Sequence, residues 1–113
     1  MSTRAQIRFA TRESGQSFSE KPNAIHAQFY RHHDGYPEGL GVDIANSFIN
    51  QCPINGRSWE IEDLDTKHGD LEYIYYIWQA PGKTTWVSIF KLHEDKECIF
   101  VGELQDLQTK YDN

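Results

Sequence analysis

Between residues 4 and 11 polar and apolar positions alternate. Ala5, Ile7 and Phe9 fall on one side, and Arg4, Gln6 and Arg8 on the other. A period of two predicts a half-buried strand. The same period returns over residues 24–31, with Ile25, Ala27 and Phe29 on one face and His26, Gln28, Tyr30 and then His32 on the other. The stretch between, ESGQSFSEKPN, is rich in turn formers. Two alternating runs joined by such a loop predict an antiparallel pair.

The period then changes. From Gly41 the apolar residues are Val42, Ile44, Ala45, Phe48, Ile49 and Cys52, spaced by threes and fours along one helical stripe. Pro53 stops that helix, and Asn55-Gly56 marks a turn. Alternation resumes over WEIEDLD, residues 59–65, where Trp59 and Ile61 oppose Glu60 and Glu62 and predict a short strand. KHGD is a turn, and LEYIYYIWQ is the strongest strand signal in the chain. After Ala80-Pro81-Gly82, TTWVSIFKL completes a hairpin with it. A further turn, HEDK, precedes the strand CIFV. Residues 102–111 then read as a short terminal helix packed through Leu104 and Leu107.

This order predicts an α+β fold. An antiparallel sheet of about five strands, in the sequence strand-strand-helix-strand meander, carries one main helix on one face. No repeat or linker interrupts residues 1–113, so a single domain is expected. Both alternation classes of LEYIYYIWQ are apolar or aromatic, which predicts a central strand covered on both faces.

Composition narrows the partners. Of 113 residues, 38% are hydrophobic and 13% aromatic, enough for a folded core. Eleven Lys and Arg stand against 17 Asp and Glu, a formal net charge of -6, which argues against a general nucleic-acid binder. The acidic residues thicken over 60–72, as a solvated face does. Cys52 and Cys98 are far apart and outside any CxxC pair, so both read as small buried residues in a reducing compartment. No apolar run approaches the ~18 residues needed to span a membrane, and the opening residues lack the apolar core of a signal peptide. A cytoplasmic location is expected.

The candidate chemistry lies in FYRHHDGYPEGL, residues 29–40. Gly35, Pro37, Gly39 and Gly41 are what a tight strand-to-helix junction requires. Strand alternation places His32 and His33 on opposite faces, which separates them as ligands. His32, Asp34 and Glu38 are suitable donors for zinc or manganese, but their spacing is not specific to a metal and none is assigned. Acid–base catalysis by His32 or His33 with Asp34 or Glu38 is the enzyme reading to keep. No nucleophile motif, phosphate loop or dinucleotide fingerprint is present. No cofactor is implied. A different reading uses the polar sheet face. There Arg4 and Arg8 would lie beside His26, Tyr30 and His32 and hold a phosphate or carboxylate. The aromatic strands, with Tyr73, Tyr75, Tyr76, Trp78, Trp86 and Phe90, offer area for self-association through a sheet face.

Two fragments together, the opening MSTRA and the later HHDGYPEG, resemble a group of small uncharacterised bacterial and phage proteins. Members of that group begin Met-Ser-Thr-Arg and carry a His-x-Asp-Gly-Tyr-Pro-Glu-Gly segment after a strand. The likeness covers about a fifth of the chain. It implies that Ser2, Thr3 and Arg4 belong with His32, Asp34, Tyr36 and Glu38, with Arg4 pairing Glu38 or Asp34, and it implies no particular activity. The candidate binding residues are thus Arg4, Arg8, Tyr30, His32, His33, Asp34, Tyr36 and Glu38. The expected role is a small binding or interaction module with a protein partner or a second copy. A small hydrolase-type enzyme and a regulator binding an anion or nucleotide are the alternatives.

Overall fold

The computed structural model describes residues 3–12, 20–22, 24–49, 59–69, 71–80, 84–92 and 97–111. Cys52, Pro53, the Asn55-Gly56 and HEDK turns, and most of the 13–23 loop lie outside these residues. The strands are β1 (Ala5–Thr11), β2 (Ala24–Arg31), β3 (Glu60–Glu62), β4 (Tyr73–Gln79), β5 (Thr85–Lys91) and β6 (Cys98–Glu103). The helices are α1 (Val42–Ile49), entered through a π-type turn at Pro37–Gly41, and α2 (Leu104–Tyr111).

The fold is α+β, but the sheet is mixed and six-stranded, in the order β3-β2-β1-β4-β5-β6. β1 and β2 pair antiparallel, as do β2 and β3, β4 and β5, and β5 and β6. The seam between the halves is parallel, with Ala5 beside Tyr73 and Phe9 beside Ile77. This corrects the expected all-antiparallel sheet, and the reason lies in the chain path. β3 runs in the direction of β1, and the Glu72 N–H then donates to the Arg4 carbonyl at the end where β1 begins. β4 must therefore start there and run alongside β1. The short terminal helix expected at the end of the chain is present as α2, and it packs on α1, so the sheet carries two helices of equal length and not one main helix.

Alternation decides what each face holds. On the helix side Ala5, Ile7, Tyr75, Ile77, Val87 and Ile89 join Leu40, Ile44, Ala45, Leu104 and Leu107 in the main core. Each such aliphatic side chain contributes about 1.5–3 kcal/mol on burial. Leu104 and Leu107 pack as their spacing predicts. On the opposite face Ala10, Ile74, Tyr76, Trp78 and Phe90 form a second cluster. β4 is thus central and buried on both faces, as its doubly apolar pattern requires. The aromatic residues expected to mediate self-association are largely consumed inside the chain: Tyr75, Tyr76, Trp78 and Phe90 are buried.

One face assignment fails for a local reason. The β1–β2 register shifts between Phe9 and Ala10, so that Phe9 faces Ala27 while Ala10 faces Ile25. His26 is the extra residue of this bulge, and a bulge reverses the alternation beyond it. Ile25 therefore packs on the second cluster with Ala10, away from the main-core side that Ala27 and Phe29 were expected to share with it. A second expectation fails at the sheet margin. Trp59 is buried in the main core, but Ile61, assigned to the same face, is 78% exposed. β3 is an edge strand, and among the described residues neither helix makes more than an isolated contact with it.

Candidate functional site

The junction after β2 is built as its glycines and proline suggest. Asp34 adopts a positive φ of 55°, which its short polar side chain tolerates better than most. The Gly35 N–H donates to the Thr3 carbonyl at 3.0 Å, and the buried Tyr75 hydroxyl donates to the Gly35 carbonyl at 2.6 Å. A Cβ on Gly35 would sit 2.8 Å from that of Ala5. The N-terminal strand does meet this turn, but through main-chain atoms. Asp34 accepts from the Tyr36 hydroxyl at 3.1 Å, a bond that raises the Tyr36 pKa, and Glu38 is exposed. The charge of Arg4 is felt at Tyr30.

The two histidines are both exposed. His32 meets Glu60 of β3 at 3.0 Å on the surface, and its ring lies edge-on to Tyr30 at 4.5 Å. His33 is exposed, its ring 6.2 Å from that of His32, and its carbonyl accepts from the Arg31 Nε at 2.8 Å. Arg31 also reaches Asp43 at 2.6 Å, which ties the end of β2 to the first turn of α1. Among the described residues no three His, Cys, Asp or Glu side chains gather as a metal site. Cys98 is a half-buried free thiol whose pKa burial pushes up.

The other face of the sheet is organised differently. Arg8 lies at its centre, beside Gln28 on β2 and Tyr76 on β4. Its Nε donates to Gln28 Oε1 at 2.8 Å, its Nη1 to the Tyr76 hydroxyl at 2.9 Å and its Nη2 to Gln6 Oε1 at 3.1 Å. The amide nitrogens of the same glutamines turn the opposite way. Gln6 Nε2 donates to Glu62 Oε1 at 2.8 Å, and Gln28 Nε2 donates to that oxygen at 2.9 Å. Both also reach the Thr66 carbonyl. Glu62 Oε2 meets His68 at 2.9 Å, and the His68 ring stacks on Tyr30 at 3.8 Å. Residues 63–68 are thereby strapped across the face. Burial pushes the Tyr30 hydroxyl pKa up; Arg4 opposes the shift, and Glu62 and Glu60 add to it.

The candidate anion face is therefore partly as expected. Arg8 and Tyr30 share it, His32 lies at its margin, and Arg4 is felt at Tyr30. His26 does not belong to it, because the bulge sends it to Thr11 at 2.6 Å. Gln6, Gln28, Glu62, His68 and Tyr76 were missed as functional residues. The two glutamines were visible as polar members of alternating strands. Nothing local linked them to Glu62 or His68, dozens of residues away in sequence.

No described helix is long and apolar enough to cross a membrane. No family model matches the chain, and no curated protein or solved structure matches it either.

Proposed function

We propose that the protein is a non-catalytic interaction module that contacts a polypeptide partner along the β3 margin of its sheet. One observation carries this reading. Ile61, at the middle of the outermost strand, is 78% exposed, and Leu64 just beyond it is 47% exposed. Exposed apolar groups of this kind on a sheet edge suit a partner that adds an extended segment, whose main chain pairs with the edge while alternate side chains pack. Glu60, Asp63 and Asp65 are exposed around the two apolar residues. They favour a segment that mixes basic and apolar side chains. They disfavour a second copy of the same strand, where like charges would face each other.

The test is an amide NMR titration with a peptide of alternating lysine and valine. Salt-sensitive shifts confined to residues 60–64 and abolished by Ile61→Lys are expected. Shifts scattered over the molecule, or unchanged in that variant, would sink the reading.

A further inference from the structure

The arrangement of charges around Arg8 is unusual for a cation whose task is only to hold the sheet together. The direct solution is a paired guanidinium and carboxylate, with two parallel charge-assisted bonds. A carboxylate is close by, yet Arg8 does not touch it. Two glutamine amides stand between, each accepting from Arg8 through its oxygen and donating to Glu62 through its nitrogen. Glu62 is occupied by Gln6, Gln28 and His68. The carboxylate is thus satisfied without the arginine, and the arginine is fixed without the carboxylate.

What remains on Arg8 can be counted. A guanidinium has five N–H donors. Gln28, Tyr76 and Gln6 take three, so two remain that no described residue takes. Gln28 and Gln6 use Nε and Nη2, the side edge of the fork. The Tyr76 hydroxyl accepts from Nη1, which leaves its own proton to donate. Two N–H groups and one O–H are therefore left on adjoining atoms, all bound to neutral neighbours. The side chain of Arg8 is only half-buried, so solvent reaches it. Its orientation is set from β1, β2 and β4 at once, and little conformational entropy is left to lose on binding. Arg4 adds a second positive charge to the same face near Tyr30.

We propose that Arg8 and Tyr76 form a binding site for a small oxyanion, a carboxylate or phosphate group, on the sheet face opposite the helices. Gln6 and Gln28 are positioning residues: they aim the guanidinium and hold Glu62 away from it. The anion accepts from the two remaining Arg8 N–H groups and from the Tyr76 hydroxyl beneath them, the tip of an otherwise buried side chain. This site is separate from the β3 margin and does not depend on a polypeptide partner.

The test follows the Arg8 side-chain Nε–H signal of the wild-type protein by NMR during titration with inorganic phosphate and, separately, acetate. Chloride at matched ionic strength serves as the baseline. A saturable shift with one of the oxyanions and not with chloride is expected, and the two arms identify which group the site prefers. Tyr76→Phe keeps the ring and removes one donor, and should weaken binding about tenfold. Arg8→Gln should abolish the thermal stabilisation that the anion gives the wild type. If Arg8 Nε–H fails to saturate up to tens of millimolar of either anion, the proposal is wrong and the arginine is structural only. Unchanged affinity in Tyr76→Phe would overturn the assigned geometry even if Arg8 responds. Neither result bears on the β3 margin, which the lysine-valine titration reads by itself.

Discussion

The hydroxyl of Tyr75, at the centre of the sheet, donates to the carbonyl of Gly35 in the turn after β2 at 2.6 Å. The bond is fully buried and joins the second half of the chain to the first. Burial holds the Tyr75 pKa well above its ordinary value. In the unfolded chain the group ionises near pH 10. Its neutral form therefore contributes stability that is fully present below that pH and is lost as pH rises toward the folded pKa. Tyr30 and Tyr111 shift in the same direction. The melting temperature should hold up to about pH 9 and fall above about pH 10. Tyr75→Phe should cost about 1–2 kcal/mol at neutral pH by leaving the Gly35 carbonyl unpaired. Its alkaline decline should be shallower. Thermal melts of both proteins across pH check this, and parallel declines would show that Tyr75 does not govern the limb.

Gly35 itself is closed to substitution. An added Cβ would lie 2.8 Å from Ala5 Cβ and 3.0 Å from the Thr3 carbonyl oxygen, at and just before the start of β1. Gly35→Ala should destabilise by about 1–3 kcal/mol through overpacking. Gly69, with nothing within 4 Å of the same added atom, provides the control. Gly69→Ala should stay within about 0.5 kcal/mol of wild type. Urea denaturation of the two variants separates a steric cost from a general intolerance to glycine replacement.

Glu62 collects donors from Gln6, Gln28 and His68. Glu62→Ala removes the shared carboxylate and leaves the two buried amides with the Thr66 carbonyl, and Gln28 also with the Asp63 carbonyl. A loss of about 2 kcal/mol is expected. The effect should be strongly non-additive with Gln28→Ala, since one amide no longer needs the carboxylate once it is gone. A double-mutant cycle whose losses simply add would show that the layer does not act as a unit.

His32 and Glu60 make a contrasting pair. Their contact is 3.0 Å long, but both side chains are about half exposed, at 46% and 58%. Solvent screening leaves such a pair about 0–1 kcal/mol. His32→Ala should barely move the denaturation midpoint. A loss above about 2 kcal/mol would mean that this end of β2 is held by more than a surface contact.

Much of the fold was legible because burial imposes a period on each element. Ile7, Tyr75 and Val87 announced their strands, and Leu104 with Leu107 announced α2. What the pattern could not carry was partnership. The parallel seam depends on where the 63–72 segment returns the chain, and periodicity is silent on that. The bulge at His26 was hidden because either histidine or isoleucine could take the outward position. The candidate site suffered most. The titratable cluster at 32–38 is dense in sequence but exposed, with His32 turned to Glu60 and Asp34 to Tyr36. The layer around Arg8 was dispersed in sequence and dense in space, and two of its members are glutamines, whose side chains give no chemical signal of their own.

The parallel seam also sets the order in which the molecule can assemble. The β4–β5 hairpin closes between Gln79 and Thr85, 6 residues apart (85 − 79). The first hairpin closes between Thr11 and Ala24, 13 apart (24 − 11). The seam joins Ala5 to Tyr73, 68 apart (73 − 5), and gains nothing until that long loop is closed. Each half should therefore gain structure first, and the seam should zip late. Ile7→Val at the seam should then speed unfolding and leave the folding rate nearly unchanged, while Ile89→Val in the meander slows folding. Stopped-flow measurements on both variants would expose the reverse pattern if the seam forms early. A chain whose last step is to join two preformed halves is one whose lifetime, more than its speed of folding, is written into β1.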